Sequence, residues 1–369
     1  MTAQAGTAED SPATDIVDWE LAARTARKLL RPGPETTREE AGRVVAELRR
    51  FAADSEEHVR DFTGLHATAA TAPVMVVDRS GWVQANADGF RIVLRPLAAK
   101  LAARHDRGIA FGTTVGSRVT AVETGALLAF LSGKVLGQFD PFYGVDSGTG
   151  DGARVTGRLL LVAPNVVQIE QELGVDPRDF RLWVCLHEET HRVQFTAVPW
   201  LRDHLRAEIA TFLDQTEVDP SAYLSMLRDA MQRLGRSLRG EGDFSVIDLL
   251  QSPEQRAVLD RLTGVMSLLE GHADVVMDGV GPSVIPTVGH IRSKFDQRRR
   301  SGNPFDHLVK RLLGLDAKLR QYTDGASFVR HVVDRAGMAD FNAVWSGPDA
   351  LPTKAEITDP DAWLRRVHG

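Results

Sequence analysis

Residues 184–193 read Val-Cys-Leu-His-Glu-Glu-Thr-His-Arg-Val and contain His187-Glu188-x-x-His191. On a helix, residues four apart lie one above the other on one face, so His187 and His191 can offer two imidazole nitrogens to a single ion. Glu188 then lies roughly 100° around the axis from His187. A zinc ion held by two histidines requires a third protein ligand and keeps its fourth position for water. Such an ion lowers the pKa of that water, and an adjacent carboxylate can take its proton and hand it to a leaving group. The chemistry implied is hydrolysis, with Glu188 as general base and acid.

Leu182, Trp183, Val184, Leu186, Val193 and Phe195 make this helix apolar over most of its circumference, which predicts burial. Buried imidazoles and carboxylates need partners, and a metal supplies one. The third ligand must come from outside the motif. Residues 268–277, Leu-Leu-Glu-Gly-His-Ala-Asp-Val-Val-Met, place Glu270, His272 and Asp274 inside an otherwise apolar helix. Glu270 and Asp274 are four apart and share a face, whereas His272 points about 200° away from Glu270. Glu270 is therefore the expected third ligand, with Asp274 as an acceptor that orients a ligand histidine through its free ring nitrogen. His272 is the alternative ligand, and a polar patch facing solvent is the alternative to any site here. A donor to the transition state is expected near the metal, and Tyr322, within Arg320-Gln321-Tyr322-Thr323-Asp324-Gly325, is the candidate.

The elements that must position these groups are mostly helical. Helical patterning starts at Asp18-Trp19-Glu20 and stops at Arg31-Pro32-Gly33-Pro34. A long helix begins at Thr37-Arg38-Glu39-Glu40, its buried stripe formed by Val44, Val45, Leu48 and Phe51. Residues 74–79 read as a short apolar segment ending in a turn at Ser80-Gly81. Residues 82–104 read as a helix that Pro96 should kink or break. The helix expected from Val115 to Leu136 is rich in small residues, which predicts close packing against the metal-binding helix or inside a bundle. Gly137 to Gly152 reads as loop. Arg158 to Ala163 is the best strand, and either an ordinary core strand or an unpaired edge to which an extended peptide could add. Val166 to Leu173 is a short helix stopped by Gly174, and Asp176-Pro177 caps and opens the metal-binding helix, which should end near Pro199. Further helices are expected at 200–213, 221–234, from 253 through the Glu270 segment, and at 286–300, 304–313, 315–336 and 338–345. The fold class is mainly α with a small β component.

The 369 residues, 43% hydrophobic and 25% charged, are those of an ordinary globular protein with ample core. A net charge of -6 argues against a nucleic-acid footprint. The single cysteine, Cys185, permits no intrachain disulfide, fits a reducing compartment, and points away from the metal as a small core residue. Residues 1–14 lack the basic and apolar regions of a secretory signal and are expected to be a disordered tail. No apolar run approaches the ~18 residues of a membrane span, so the expected address is the cytoplasm.

The pairing of His187-Glu188-x-x-His191 with Glu270-x-x-x-Asp274 resembles the gluzincin arrangement of zinc peptidases. More closely, the chain resembles the bacterial zincin-like metallopeptidases, which include a branch associated with coenzyme F420 biosynthesis. The residues carrying that resemblance are Val76-Val77-Asp78-Arg79 with Trp82, Leu186-His187-Glu188-x-x-His191-x-Val193-Gln194-Phe195, Glu270-Gly271-His272-Ala273-Asp274, Leu351-Pro352-Thr353 and Asp359-Pro360-x-x-Trp363-Leu364. The resemblance implies a zincin-like fold and a zinc site. Glu189 and Arg192 depart from the usual motif context, being charged, and are placed to pair with each other on the helix's outer face.

The expected organisation is the tail, an N-terminal helical region at 15–110 and a catalytic region at 111–369, the latter two packed as one unit. The expected activity is zinc-dependent hydrolysis of a peptide or amide. A zincin-shaped scaffold that binds a partner without catalysis is one alternative. A metallohydrolase acting on a non-peptide substrate linked to coenzyme F420 is the other.

Overall fold

The computed structural model describes residues 16–67, 73–105, 114–144, 157–215, 253–300 and 315–369. The expected tail and the helices expected at 221–234 and 304–313 lie outside the described residues. Along the chain run α1 (Trp19–Leu29), α2 (Arg38–Thr63), β1 (Val74–Val77), α3 (Arg79–His105), α4 (Thr114–Ser132), β2 (Gly137–Asp140) and β3 (Arg158–Val162). Then follow α5 (Ala163–Leu173), α6 (Pro177–Ala197), α7 (Pro199–Asp214), α8 (Pro253–Val284), α9 (Val288–Arg300), α10 (Leu315–Phe341), α11 (Lys354–Thr358) and α12 (Pro360–His368). The architecture is mainly α around one small sheet.

The sheet has the order β1-β3-β2. β1 runs parallel to β3 and β2 antiparallel to it, with Gly137 opposite Leu161 and Asp140 opposite Arg158. All five residues of β3 are buried, as a strand covered on both faces must be. Its alternation divides the interior. Leu159 and Leu161 enter a core built from α2, α5, α6, α8 and α10, while Leu160 and Val162 enter a second core under α1, α3 and α4.

Both edges of β3 are paired, so it offers no edge to a substrate. Among the described residues, the edge left unpaired near the metal-binding helix belongs to β2, within the stretch the sequence presents as loop. Gly-Gln-Phe-Asp carries no run of β-branched residues, and its strand character comes from pairing with β3. α4 takes the second of its two expected places, among other helices. A Cβ at Gly125 would lie 2.5 Å from the Ala22 carbonyl oxygen, so the small residues of α4 admit α1, not the metal-binding helix. At Ser80-Gly81 the expected turn is the first turn of α3, whose helix continues through Pro96.

Local chemistry sets the ends of the central helices. Thr37 and Glu40 form a reciprocal capping box on α2. Asp176 caps α6 by accepting from the Asp179 N–H at 2.9 Å, with Pro177 in the first turn. Asp179 in turn accepts from the Thr287 N–H and hydroxyl at 3.0 and 2.8 Å, tying the start of α6 to the connection after α8. Arg79 is buried and holds a loop in place: it donates to Asn165, Gln168 and the carbonyls of Arg31 and Pro32. At the C-terminus, Trp363 is fully buried and donates to the Ala350 carbonyl at 2.8 Å, while Arg366 clasps Glu356 and the Leu351 carbonyl. Several residues that carry the family resemblance are thus structural staples.

α6 lies in the larger core with α2 along one side and α8 along another. Cys185 is buried and donates weakly to the Leu48 carbonyl of α2. Glu189 and Arg192 do pair, at 2.7 Å, but not on an outer face. Both are buried, and Arg192 also pairs with Glu56 of α2. Burial pushes the Glu189 carboxyl up to about 8, with Arg192 pulling it the other way.

α8 reaches the site because α10 presses against it closely. A Cβ at Gly271 would overlap the Gly325 carbonyl, and one at Gly325 would overlap the Ser267 carbonyl oxygen. Only paired glycines allow two helix backbones this near. The contact sits beside Glu270 and fixes the rotation of α8 about its axis.

Candidate metal centre

Three side chains from two helices converge. His187 and His191 of α6 have their Nε2 atoms 3.3 Å apart. Glu270 of α8 places Oε2 3.6 Å from His187 Nε2 and Oε1 3.7 Å from His191 Nε2. Among the described residues, this is the one group of three or more His, Cys, Asp and Glu side chains whose donor atoms lie close enough to share an ion, all within 4.8 Å of one another. The spacing suits a small cation. Bonds of about 2.0–2.1 Å at a tetrahedral centre put two nitrogens roughly 3.3 Å apart.

The hydrogen bonds behind His191 settle which nitrogen faces the triangle. His191 Nδ1 lies 3.0 Å from Gln194 Oε1, which can only accept. Nδ1 therefore carries the proton, and Nε2 turns its lone pair toward the neighbouring imidazole and Glu270. The Gln194 amide nitrogen donates to the Leu269 carbonyl at 3.0 Å and to His272 Nδ1 at 2.9 Å. Gln194 thus joins the two ligand-bearing helices and holds one imidazole at once. It was visible in the sequence as part of the resemblance and had no role there. Its position three residues after His191, on the same helix face, was the signal available.

His272 lies behind this network, fully buried and stacked on Phe341 with its edge to Trp345. Burial, with His191 nearby, holds its pKa down to about 3, so it is neutral and accepts from Gln194. Asp274 lies in the wall of a cavity shared with His187 and Glu188; its carboxylate is 3.5 Å from Arg292 Nη1, and its carbonyl accepts from Arg292 Nη2 at 2.9 Å. His187 Nδ1 lies 3.3 Å from the Met277 sulfur. Tyr322 belongs to α10, but its side chain lies outside the described residues.

Glu188 is buried beside the triangle. Burial drives its carboxyl well above the ordinary carboxylate range, and the charges of Glu270 and Glu189 push the same way. Its seat is a notch in the edge strand. A Cβ at Gly137 would lie 2.5 Å from Glu188 Cγ and 2.6 Å from Cδ. A side chain at this position would displace the carboxylate from its present place. Phe139, two residues on and so on the same face of β2, stacks on Phe195 of α6 at 5.4 Å. The Leu136 carbonyl accepts from the Val162 N–H at 2.8 Å, so alternation turns the backbone groups of Gly137 and Phe139 away from β3, to the free edge.

Two cavities flank this arrangement, and both have His187 and Glu188 in their walls. One, of ≈ 740 Å³, also includes His191 and Glu270 and is otherwise lined mainly by apolar residues. The other, of ≈ 200 Å³, is lined in part by Asp274, Arg292 and Asp296.

Residues 17–364 match the family described as zincin-like metallopeptidases. The chain belongs to this family. A crystal structure from Chloroflexus aurantiacus, provisionally described as a hydrolase with a novel fold, is similar to this zincin-like chain. The two share 31% identity and a TM-score of 0.66 over 95% of this chain and 98% of that one. No curated protein matches the chain. Neither likeness carries the association with coenzyme F420. Together they support a metallohydrolase, and the zincin-like family implies zinc. The donor set fits that ion: two neutral imidazole nitrogens and a carboxylate are the ligands of a catalytic zinc with one position left open. Among the described residues of this zincin-like protein, no helix is long and apolar enough to cross a membrane.

Proposed function

We propose that the protein is a zinc-dependent hydrolase acting on a peptide or amide carbonyl. The observation that carries this reading is the triangle of His187 Nε2, His191 Nε2 and a Glu270 oxygen, all within 4.8 Å, with Glu188 in the wall of the same cavity. His187, His191 and Glu270 would hold the zinc. When bound, the ion would supply Lewis acidity, lowering the pKa of water and polarising the scissile carbonyl.

The rest falls to the chain itself. Gln194 keeps the proton of His191 on Nδ1 and so leaves Nε2 free to bind. Glu188 takes a proton on a carboxylate oxygen and passes it to the leaving nitrogen. Its burial keeps competing water from that carboxyl, and the Gly137 notch holds it in place. The outward N–H and C=O groups of Gly137 and Phe139 suit an extended peptide that adds to the edge of β2. Asp274, with Arg292, would shape the smaller cavity beside His187.

The test is Glu188→Gln, which keeps the shape of the side chain and removes its basicity. In a fluorogenic peptide library, turnover should fall by roughly 10²–10⁴-fold while zinc stoichiometry stays at that of the wild type. Turnover that survives the substitution ends the hydrolytic role of Glu188. Zinc-loaded wild-type protein that turns over no peptide in the library makes a non-catalytic scaffold the better reading.

A further inference from the structure

The larger cavity bears on what the site accepts. It contains both histidines, Glu188 and Glu270, and among the described residues that line it no other side chain is charged. The remaining wall includes Phe90, Phe139, Phe142, Ile209, Leu262 and Met266. At ≈ 740 Å³ it falls within the range of about 300–1,000 Å³ typical of sites that enclose a whole small ligand. Phe90 and Met266 remain 43% and 42% exposed, an arrangement that leaves apolar surface in water until something covers it. A charged substrate group entering here would lose hydration and find no counter-ion beyond the site itself. The other cavity differs in being smaller and in having Asp274, Arg292 and Asp296 among its apolar walls.

Resting on the metallohydrolase reading above, we infer that the substrate carries an uncharged apolar segment on one side of the scissile carbonyl, long enough to fill a cavity of this size. Hydrophobic peptide side chains and an acyl chain share this chemistry. Specificity then comes from the walls of α3, β2, α7 and α8, and the metal triangle supplies none of it.

The experiment uses the zinc-loaded full chain and hydroxamates, which chelate zinc through a common head. Acetohydroxamate reads the metal alone. Octanohydroxamate adds six methylenes, and 8-amino-octanohydroxamate carries the same chain with a charged tip. Burial of each methylene strengthens binding by up to about fourfold, so octanohydroxamate should bind at least ~100-fold more tightly than acetohydroxamate. The amino tip should erase most of that gain. Met266→Ser, at a position 42% exposed in this wall, adds no charge near the metal and should lower the ratio of octanohydroxamate to acetohydroxamate affinity. N-acetyl-Leu-Leu hydroxamate binding more tightly than octanohydroxamate marks a peptide; the reverse order marks an acyl amide. Equal affinity for the two-carbon and eight-carbon hydroxamates overturns the inference and leaves the metal reading standing. Failure of acetohydroxamate to bind the zinc-loaded chain overturns both.

Discussion

Gln194 shows how a single amide can serve several ends at the residue scale. Its oxygen receives the His191 Nδ1 proton, and its nitrogen reaches Leu269 and His272 on the partner helix. Losing such a support typically weakens metal affinity by about 10–100-fold. Gln194→Ala is therefore expected to weaken zinc binding by about that factor in a chelator competition, and wild-type affinity would count against the role assigned here. Gly137→Ala acts on the other functional group. The added methyl would meet the Glu188 carboxylate at 2.5–2.6 Å from its carbons, so the carboxylate must move. Misplacement by about 1 Å can cost ~10²-fold, so turnover should fall to that extent with zinc stoichiometry intact. Unchanged turnover would mean that Glu188 is not held by this notch. The i, i+4 spacing of His187 and His191 made their shared face legible from the sequence. Asp274 was harder, because sharing a face with Glu270 says nothing about Arg292, eighteen residues away in a different helix.

At the scale of elements, the site depends on how α8 is pressed onto its neighbours. Gly271 and Gly325 bring the backbones of α8 and α10 together beside Glu270. Gly325→Ala must force them apart, and overpacking of this kind costs roughly 1–3 kcal/mol or more. A lowered melting temperature accompanied by weaker zinc binding is expected. A melt and a zinc affinity both like those of the wild type would show that the crossing does not set the position of Glu270. Helix boundaries were readable because caps announce them: Thr37 and Glu40 for α2, Asp176 and Pro177 for α6. β2 was not, since a four-residue strand with glycine at its head carries no periodicity of its own and exists by pairing with β3. The partner of α4 was unreadable for a similar reason. Small residues announce a close approach without naming the helix that makes it.

Across the whole molecule, β3 is the partition between two cores, and the larger one carries the site. Its periphery is held by pairs distant in sequence, such as Arg192 with Glu56 and Arg181 with Glu47. Charged residues on a helix read as solvent-facing when only neighbours in sequence are considered. Arg192 and Glu189 are buried because α2 returns across α6 with a matching carboxylate, a relation no local pattern contains. The mainly helical class and the buried character of α6 were legible because hydrophobic periodicity reports them directly. Glu188 and Glu270 were named as one site from the sequence, whereas the places of residues 137 and 194 beside them required the fold.

The central claim is that α6 and α8 together form a zinc site. Crystals of metal-replete protein, measured on either side of the zinc absorption edge, test it most directly. The account predicts one anomalous peak about 2.0–2.2 Å from His187 Nε2, His191 Nε2 and a Glu270 oxygen. Metal-replete crystals with no peak among these three side chains, or with zinc bound elsewhere, would contradict it.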